Sequence, residues 1–488
     1  MDLPIDAPGS SFLDMAEACS GEPEFVFLDA QGDHPGWGMS MFAFAPVATI
    51  VARSDETTVR KCGVERRSSL PVLESIEEEL RPYRLDLPDG QAHPHFVGGA
   101  VGYLAYELGR QLEVLPSSAV NDLRLPTAYF NIYNFAVCYD HQSGRCRLAY
   151  VDGFPSDAPT REAILRRLES ASATPRVAAA DWRGRFGAIT SDLSKAEYLD
   201  ALSRIKEYIR SGDVYQVNMT QRFRAPLGMS PWSLWRRLAA INPAPFAAYL
   251  NLDEHSVISS SPELFLRVRG DRVETRPIKG TIRRSADSVE DAMFARELLG
   301  SAKNNAELAM IVDLMRNDLG RVAMPGTVEV EACPVLETYP SVHHLVATVA
   351  GRRDPSLSLS TLLRATFPGG SITGAPKIRA MEIIDELEPV ARGVYTGSIG
   401  YISCHGTMDL NIAIRTVIVK GDTAYFHAGG GVVADSEPEQ EYEELLLKAS
   451  RLAQALTADG PVGTESPSGR LRSASESRNP SAITQRSK

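Results

Sequence analysis

The sequence predicts an α+β fold of antiparallel sheets with flanking helices. Two observations carry this. Short strand candidates fall in blocks separated by helices, without the regular strand–helix rhythm of a doubly wound parallel sheet. The helix opened by the Ser194–Glu197 capping box ends before Gly212 and runs straight into a strand. At 488 residues and 43% hydrophobic content, the chain can bury the core of two or three lobes or of one large elaborated domain.

Residues 1–182 read as a strand-rich N-terminal lobe. Its strand candidates include Phe25–Leu28, Met41–Phe44 and Tyr129–Tyr133, and an amphipathic helix is expected over Leu73–Leu85. The small, polar stretch from Ser170 to Pro175, continuing to the alanines at 178–180, breaks the periodicity and predicts a linker. A second region, 183–457, opens with a capping box of Ser194 and Glu197. The helix behind it has the apolar stripe Tyr198, Leu202, Ile205 and Ile209, and it stops before Gly212. A strand follows, with Tyr215, Val217 and Met219 on one face and Gln216 and Asn218 on the other. The alternating run Leu264–Val268 leads to Lys279, which is predicted to lie in a tight turn bounded by Pro277 and Gly280. One helix is expected from about Asp291 to Asn317, and another behind a capping box of Ser436 and Glu439. Residues 458–488 contain almost no large apolar side chains, which predicts a disordered tail.

Composition excludes several classes of function. A net charge of -11, with no basic block interleaved with aromatics, argues against nucleic acid. No apolar run approaches the roughly 18 residues of a membrane span, and the start of the chain lacks a signal pattern, so a cytoplasmic setting without membrane contact is expected. The six cysteines show no CxxC spacing, which points to neither zinc nor a disulfide framework.

Several residues are placed to do chemistry. A lysine in a constrained turn is a nucleophile where its site lowers its pKa, and otherwise a solvated lysine. Gln216 and Asn218 face the same way, to read a polar substrate or to meet solvent. Glu307 interrupts the stripe formed with Met310, Ile311 and Leu314, so it either has a cationic partner or lies at the stripe's edge in water. Glu441 and Glu444 share a helix face, where they complement the dipole or, with Glu307, hold a hard cation such as Mg2+. Phe367–Lys377 and His427–Gly431 are loops able to offer backbone N–H groups to an anion. The first fails as a nucleotide loop, because Ala375 and Pro376 stand where Lys and Ser/Thr are needed.

These blocks in this order resemble the chorismate-utilising enzymes over about Phe25–Leu456. The blocks are Gly212–Asn218, Ser261–Glu263, Pro277–Thr281, Met310–Leu314, Arg316–Asp318, Phe367–Lys377, Tyr395–Gly397 and Ala413–Thr416, with Gly98–Tyr103 a looser match. The resemblance implies that the antiparallel sheets pack as a sandwich. It also implies Mg2+ on Glu307, Glu441 and Glu444, with Lys279 as nucleophile, Glu263 as general acid and His344 as a further catalytic residue. Gln216, Ser371, Tyr395, Arg415 and Gly429, Gly430 and Gly431 would bind substrate.

Gln216 stands where water-adding members of the family carry a lysine base, which makes ammonia the expected incoming group. Lys279 stands where anthranilate-forming members carry alanine, so the implied product is 4-amino-4-deoxychorismate, on the way to para-aminobenzoate and folate. The alternatives are the anthranilate-forming reaction or a non-catalytic ligand sensor, which would have lost the carboxylates. Leu308 departs from the Asn or His often found beside the metal glutamate. No glutaminase segment is recognisable in the sequence, so a separate glutamine amidotransferase subunit is the expected source of ammonia.

Overall fold

A computed structural model describes residues 2–5, 9–31, 38–86, 95–155, 158–172, 187–339 and 342–457. Most of the predicted linker and the whole predicted tail lie outside these residues, although Ser170–Ser172 belong to the helix Arg161–Ser172. Two 12-stranded sheets form the body of the protein. Every strand pairing within them is antiparallel, as expected.

The sheets pack face to face. Val26, Met41, Ala248 and Leu250 of one sheet meet Val101, Tyr103, Tyr129 and Ile399 of the other in a single apolar cluster. The strand Phe25–Asp29 shows why: with period two, Val26 points into the sandwich while Phe25 and Phe27 point outward. There the helix Pro231–Ile241 covers them, with Trp232 5.9 Å from Phe25 and Trp235 4.9 Å from Phe27 between ring centroids. Both sheets draw strands from either side of residue 182. Phe25–Asp29 pairs with Phe246–Asn251, and Gly99–Leu104 pairs with Ser398–Ser403.

The three early strands and the Ser194–Glu197 capping box are found, the helix running Lys195–Ser211 and closing on Gly212 at φ 84. Five local expectations are corrected. The helix Val72–Leu80 is shorter than predicted and gives way to a 3-10 turn, because Pro82 cannot continue it. The long helix over Asp291–Asn317 is two helices, Ser288–Gly300 and Ala302–Gly320. Gly300 ends the first, and Ser301 caps the second by accepting from the Asn304 N–H. Ser436 does not cap the last helix, Pro438–Leu456. Pro438, at the first helical position, sets the start one residue later, and the Ser436 hydroxyl instead donates to Glu441 Oε1 at 2.7 Å.

Lys279 is not in a turn. It lies in the strand Ile278–Arg283, at an irregularity in the pairing with Val342–Arg352. Gly280, at φ 88, makes that bulge possible. Lastly, Gly429–Gly431 are not a loop but part of the strand Thr423–Val432, paired with Gln216–Pro226.

Candidate active site

The bulge at Gly280 sets the position of Lys279. A Cβ on Gly280 would stand 3.0 Å from the Asn304 side chain and 3.1 Å from Leu298, so the strand lies tight against both helices that meet at Ser301. This brings Lys279 Nζ within 2.6 Å of Glu307 Oε2. Glu307 is 7% exposed, which settles its alternatives: it is buried and paired with a cation. Gln216 and Asn218 are buried too, and face the interior rather than solvent. A Cβ on Gly431 would lie 2.9 Å from Gln216 Nε2 and 3.1 Å from Lys279 Nζ, so the bare glycine leaves the room that these two side chains share. Gln216 Oε1 and Asn218 Oδ1 have no hydrogen-bond partner among the described residues, which leaves two acceptors available in the interior.

Glu263 leads from the strand Ser256–Ser261 into Leu264–Arg269 and is buried. Burial pushes its carboxyl up to about 7, against the opposing pull of the Ser371 hydroxyl, the Ile278 N–H and the Lys279 charge. Its proton is thus retained well above the usual carboxylate range, as a general acid needs. Ser371, in the 3-10 turn Gly370–Ile372, thus engages the acid itself, a contact that the sequence did not reveal.

The three carboxylates expected at a metal occupy neighbouring positions, each engaged by a lysine. Lys303 Nζ lies 4.0 Å from Glu307 Oε1 and 3.5 Å from Glu441 Oε1, while Lys448 Nζ lies 2.6 Å from Glu444 Oε1. Among the described residues no three His, Cys, Asp or Glu side chains are gathered closely enough to hold a metal ion. The donor set nevertheless suits Mg2+: all three groups offer oxygens, Glu307 and Glu441 are buried, and Gly430 leaves space beside Glu441 and Glu444. A Cβ there would stand 3.5 Å from Glu441 Oε2 and 3.9 Å from Glu444 Oε1. The two lysines were missed, although Lys303–Glu307 and Glu444–Lys448 both have i,i+4 helical spacing.

Arg415 is half-buried, bonded through Nη1 to Asn242 Oδ1 at 3.0 Å, and no carboxylate pairs with it among the described residues. Burial lowers its pKa to about 10, which leaves an uncompensated cation at neutral pH. Tyr395 is stacked on His427, 5.0 Å away and at 11°, and His427 lies two residues before Gly429 on its strand. Of the adjacent histidines, His343 turns to Asp291 and Thr338. His344 turns the other way and bonds Thr281 Oγ1 through Nδ1 at 2.8 Å. Burial, reinforced by Arg415, lowers its pKa to about 3. It is neutral at pH 7, and through Gly280 and Thr281 it braces the bulge that carries Lys279.

No helix among the described residues is long and apolar enough to cross a membrane. None of the six cysteines is in a disulfide; four are buried and Cys62 and Cys333 are exposed. The chain is 44% identical to the aminodeoxychorismate synthase component 1 of Klebsiella aerogenes, over 84% of this chain and 88% of that protein. It is also 43% identical to the anthranilate synthase component 1 of Thermus thermophilus, over 74% and 78% respectively. The crystal structure of anthranilate synthase component I from Streptococcus pneumoniae TIGR4 superposes with a TM-score of 0.74 and 30% identity, covering 86% of this chain and 93% of that one. The model of the chorismate binding enzymes matches residues 23–454, which takes in every strand of the two sheets except Asp2–Ile5 and every residue of the site, and the chain belongs to that family.

Proposed function

We propose that the protein aminates chorismate with ammonia to give 4-amino-4-deoxychorismate, the precursor of para-aminobenzoate and folate. The observation that carries this is Lys279, whose Nζ lies beside Gln216 and Glu307 and within electrostatic reach of the protonated Glu263. Relatives named aminodeoxychorismate synthase component 1 support it, at 37% to 44% identity.

In this reading Lys279 adds to the ring through Nζ, losing a proton to solvent as it does so. The diene shifts, and the hydroxyl leaves as water with the proton of Glu263. Ammonia then adds at the carbon that lost the hydroxyl, the double bond shifts back, and Lys279 is released. Arg415 and Tyr395 hold the enolpyruvyl carboxylate, beside the strand Gly429–Gly431. Gln216 and Asn218 offer acceptors to the incoming nitrogen, and His344 keeps Lys279 in place. Glu307, Glu441 and Glu444 would hold Mg2+, which would supply charge neutralisation at a dianionic substrate and would draw Glu307 away from Lys279.

The name component 1 borne by the relatives supports a second component, which we take to be a glutamine amidotransferase subunit in the cytoplasm. Incubation with chorismate, Mg2+ and an ammonium salt, with and without a separate aminodeoxychorismate lyase, tests the reaction. Para-aminobenzoate that appears only with the lyase is the expected result. Anthranilate without it would establish the alternative reaction.

A further inference from the structure

Three stretches far apart in sequence bring substrate-facing residues to the site: Gln216 and Asn218, Ser371, and Tyr395. One buried ion pair grips the backbone or the adjacent side chain of all three. Arg392 and Glu388 have side chains 1% and 4% exposed and meet through two parallel bonds, Nε to Oε2 at 2.8 Å and Nη2 to Oε1 at 2.7 Å. The remaining guanidinium N–H groups fan outward. Nη2 donates to the Asn218 carbonyl at 2.6 Å, and Nη1 donates to the Ile372 carbonyl at 3.0 Å and to Thr396 Oγ1 at 3.4 Å. Glu388 Oε1 in turn accepts from both the N–H and the hydroxyl of Thr220, at 2.9 and 2.8 Å. Behind the pair, the Tyr106 ring centroid lies 4.7 Å from the guanidinium carbon. The Glu107 carboxylate takes the backbone N–H groups of Arg392 and Gly393 at 2.9 and 3.0 Å.

A buried ion pair is weak evidence for stability, since apolar side chains of similar volume often serve as well. What no apolar pair can do is bond one neighbour of Gln216, one of Ser371 and one of Tyr395 from a single rigid fork. Lysine, with a point charge and rotatable donors, cannot reproduce that geometry either. We propose that Arg392, held by Glu388, is a positioning residue that fixes the spacing of the three substrate-binding stretches and so sets the affinity for chorismate. This rests on the proposed reaction only for its ligand.

The test compares the intact wild-type protein with Arg392→Lys in Mg2+, using calorimetric binding of chorismate, kcat and KM in ammonium salt, and Tm. The expected result is a rise of about tenfold or more in Kd and KM, a smaller fall in kcat, and a Tm lowered by a few degrees. If Arg392→Lys does not fold, Thr220→Val decides, because it removes only the hydroxyl bonded to Glu388. It should raise Kd about threefold, with Tm lowered by a few degrees. Folded variants with wild-type Kd and KM, whatever their Tm, would overturn the proposal and leave the pair a purely structural one. Wild-type protein that binds chorismate but releases anthranilate would overturn the functional reading alone, and failure of the wild type to bind chorismate would overturn both.

Discussion

Glu263 shows how one side chain links activity to stability. Its proton is held at about 7 in the folded protein against about 4.5 in an unfolded chain, so the folded state binds that proton more tightly. The stabilisation is therefore complete below about pH 4.5 and is lost as pH rises from there through about 7. Glu263→Gln, which never ionises, should match the wild-type Tm at pH 4.5 and exceed it at pH 8, with the difference read by calorimetry. Because glutamine cannot give up a proton, the same change should lower kcat about 10²- to 10⁴-fold, and wild-type kcat/KM should itself fall above about pH 7 as the acid ionises. Lys279→Ala makes the complementary prediction. With no lysine to occupy the first site of addition, ammonia adds there instead, and product analysis should find the anthranilate-type intermediate. The sequence revealed these two residues through their motifs. It did not reveal the contact of Lys303 with Glu441 or the Ser371 bond to Glu263, which depend on how separate helices and a 3-10 turn approach one another, whereas the i,i+4 pairs Lys303–Glu307 and Glu444–Lys448 lie within single helices and were overlooked.

At the scale of elements, the strand Thr423–Val432 separates two uses of glycine. A methyl group on Gly431 would meet only the ends of the Gln216 and Lys279 side chains, whereas one on Gly429 would run into the Met219 carbonyl of the paired strand. Gly431→Ala should therefore fold with a Tm within a few degrees of wild type yet lose most activity. Gly429→Ala should cost on the order of 3 kcal/mol or more, seen in denaturant melts as well as in activity. The same strand shows why element prediction stopped where it did. Its glycines have low strand propensity, and only the partner Gln216–Pro226, some two hundred residues away, makes them a strand. Local signals worked where the chemistry is local, as in the Ser194–Glu197 capping box. They failed at Ser301, where one helix stops and the next starts within two residues, and at Pro438, which moves the helix start one residue past the position that Ser436 would cap.

At the scale of the molecule, the sandwich was legible only through the resemblance, because no local pattern pairs Phe25–Asp29 with Phe246–Asn251 or Gly99–Leu104 with Ser398–Ser403. Since residues 2–172 and 187–457 contribute neighbouring strands to both sheets, a chain opened between 172 and 187 should give fragments that do not unfold cooperatively alone. Mixed or co-expressed, they should regain chorismate-dependent turnover and a single melting transition. The interleaving has a consequence for synthesis as well. The strand Phe25–Asp29, paired on one side with the nearby Met39–Ala43, leaves the ribosome more than two hundred residues before its other partner, Phe246–Asn251, and the Gln216 strand waits as long for the glycines opposite it. For that interval the nascent protein carries apolar sheet edges with nothing to cover them, so its yield in cells should depend on chaperone capacity long before its catalytic power does.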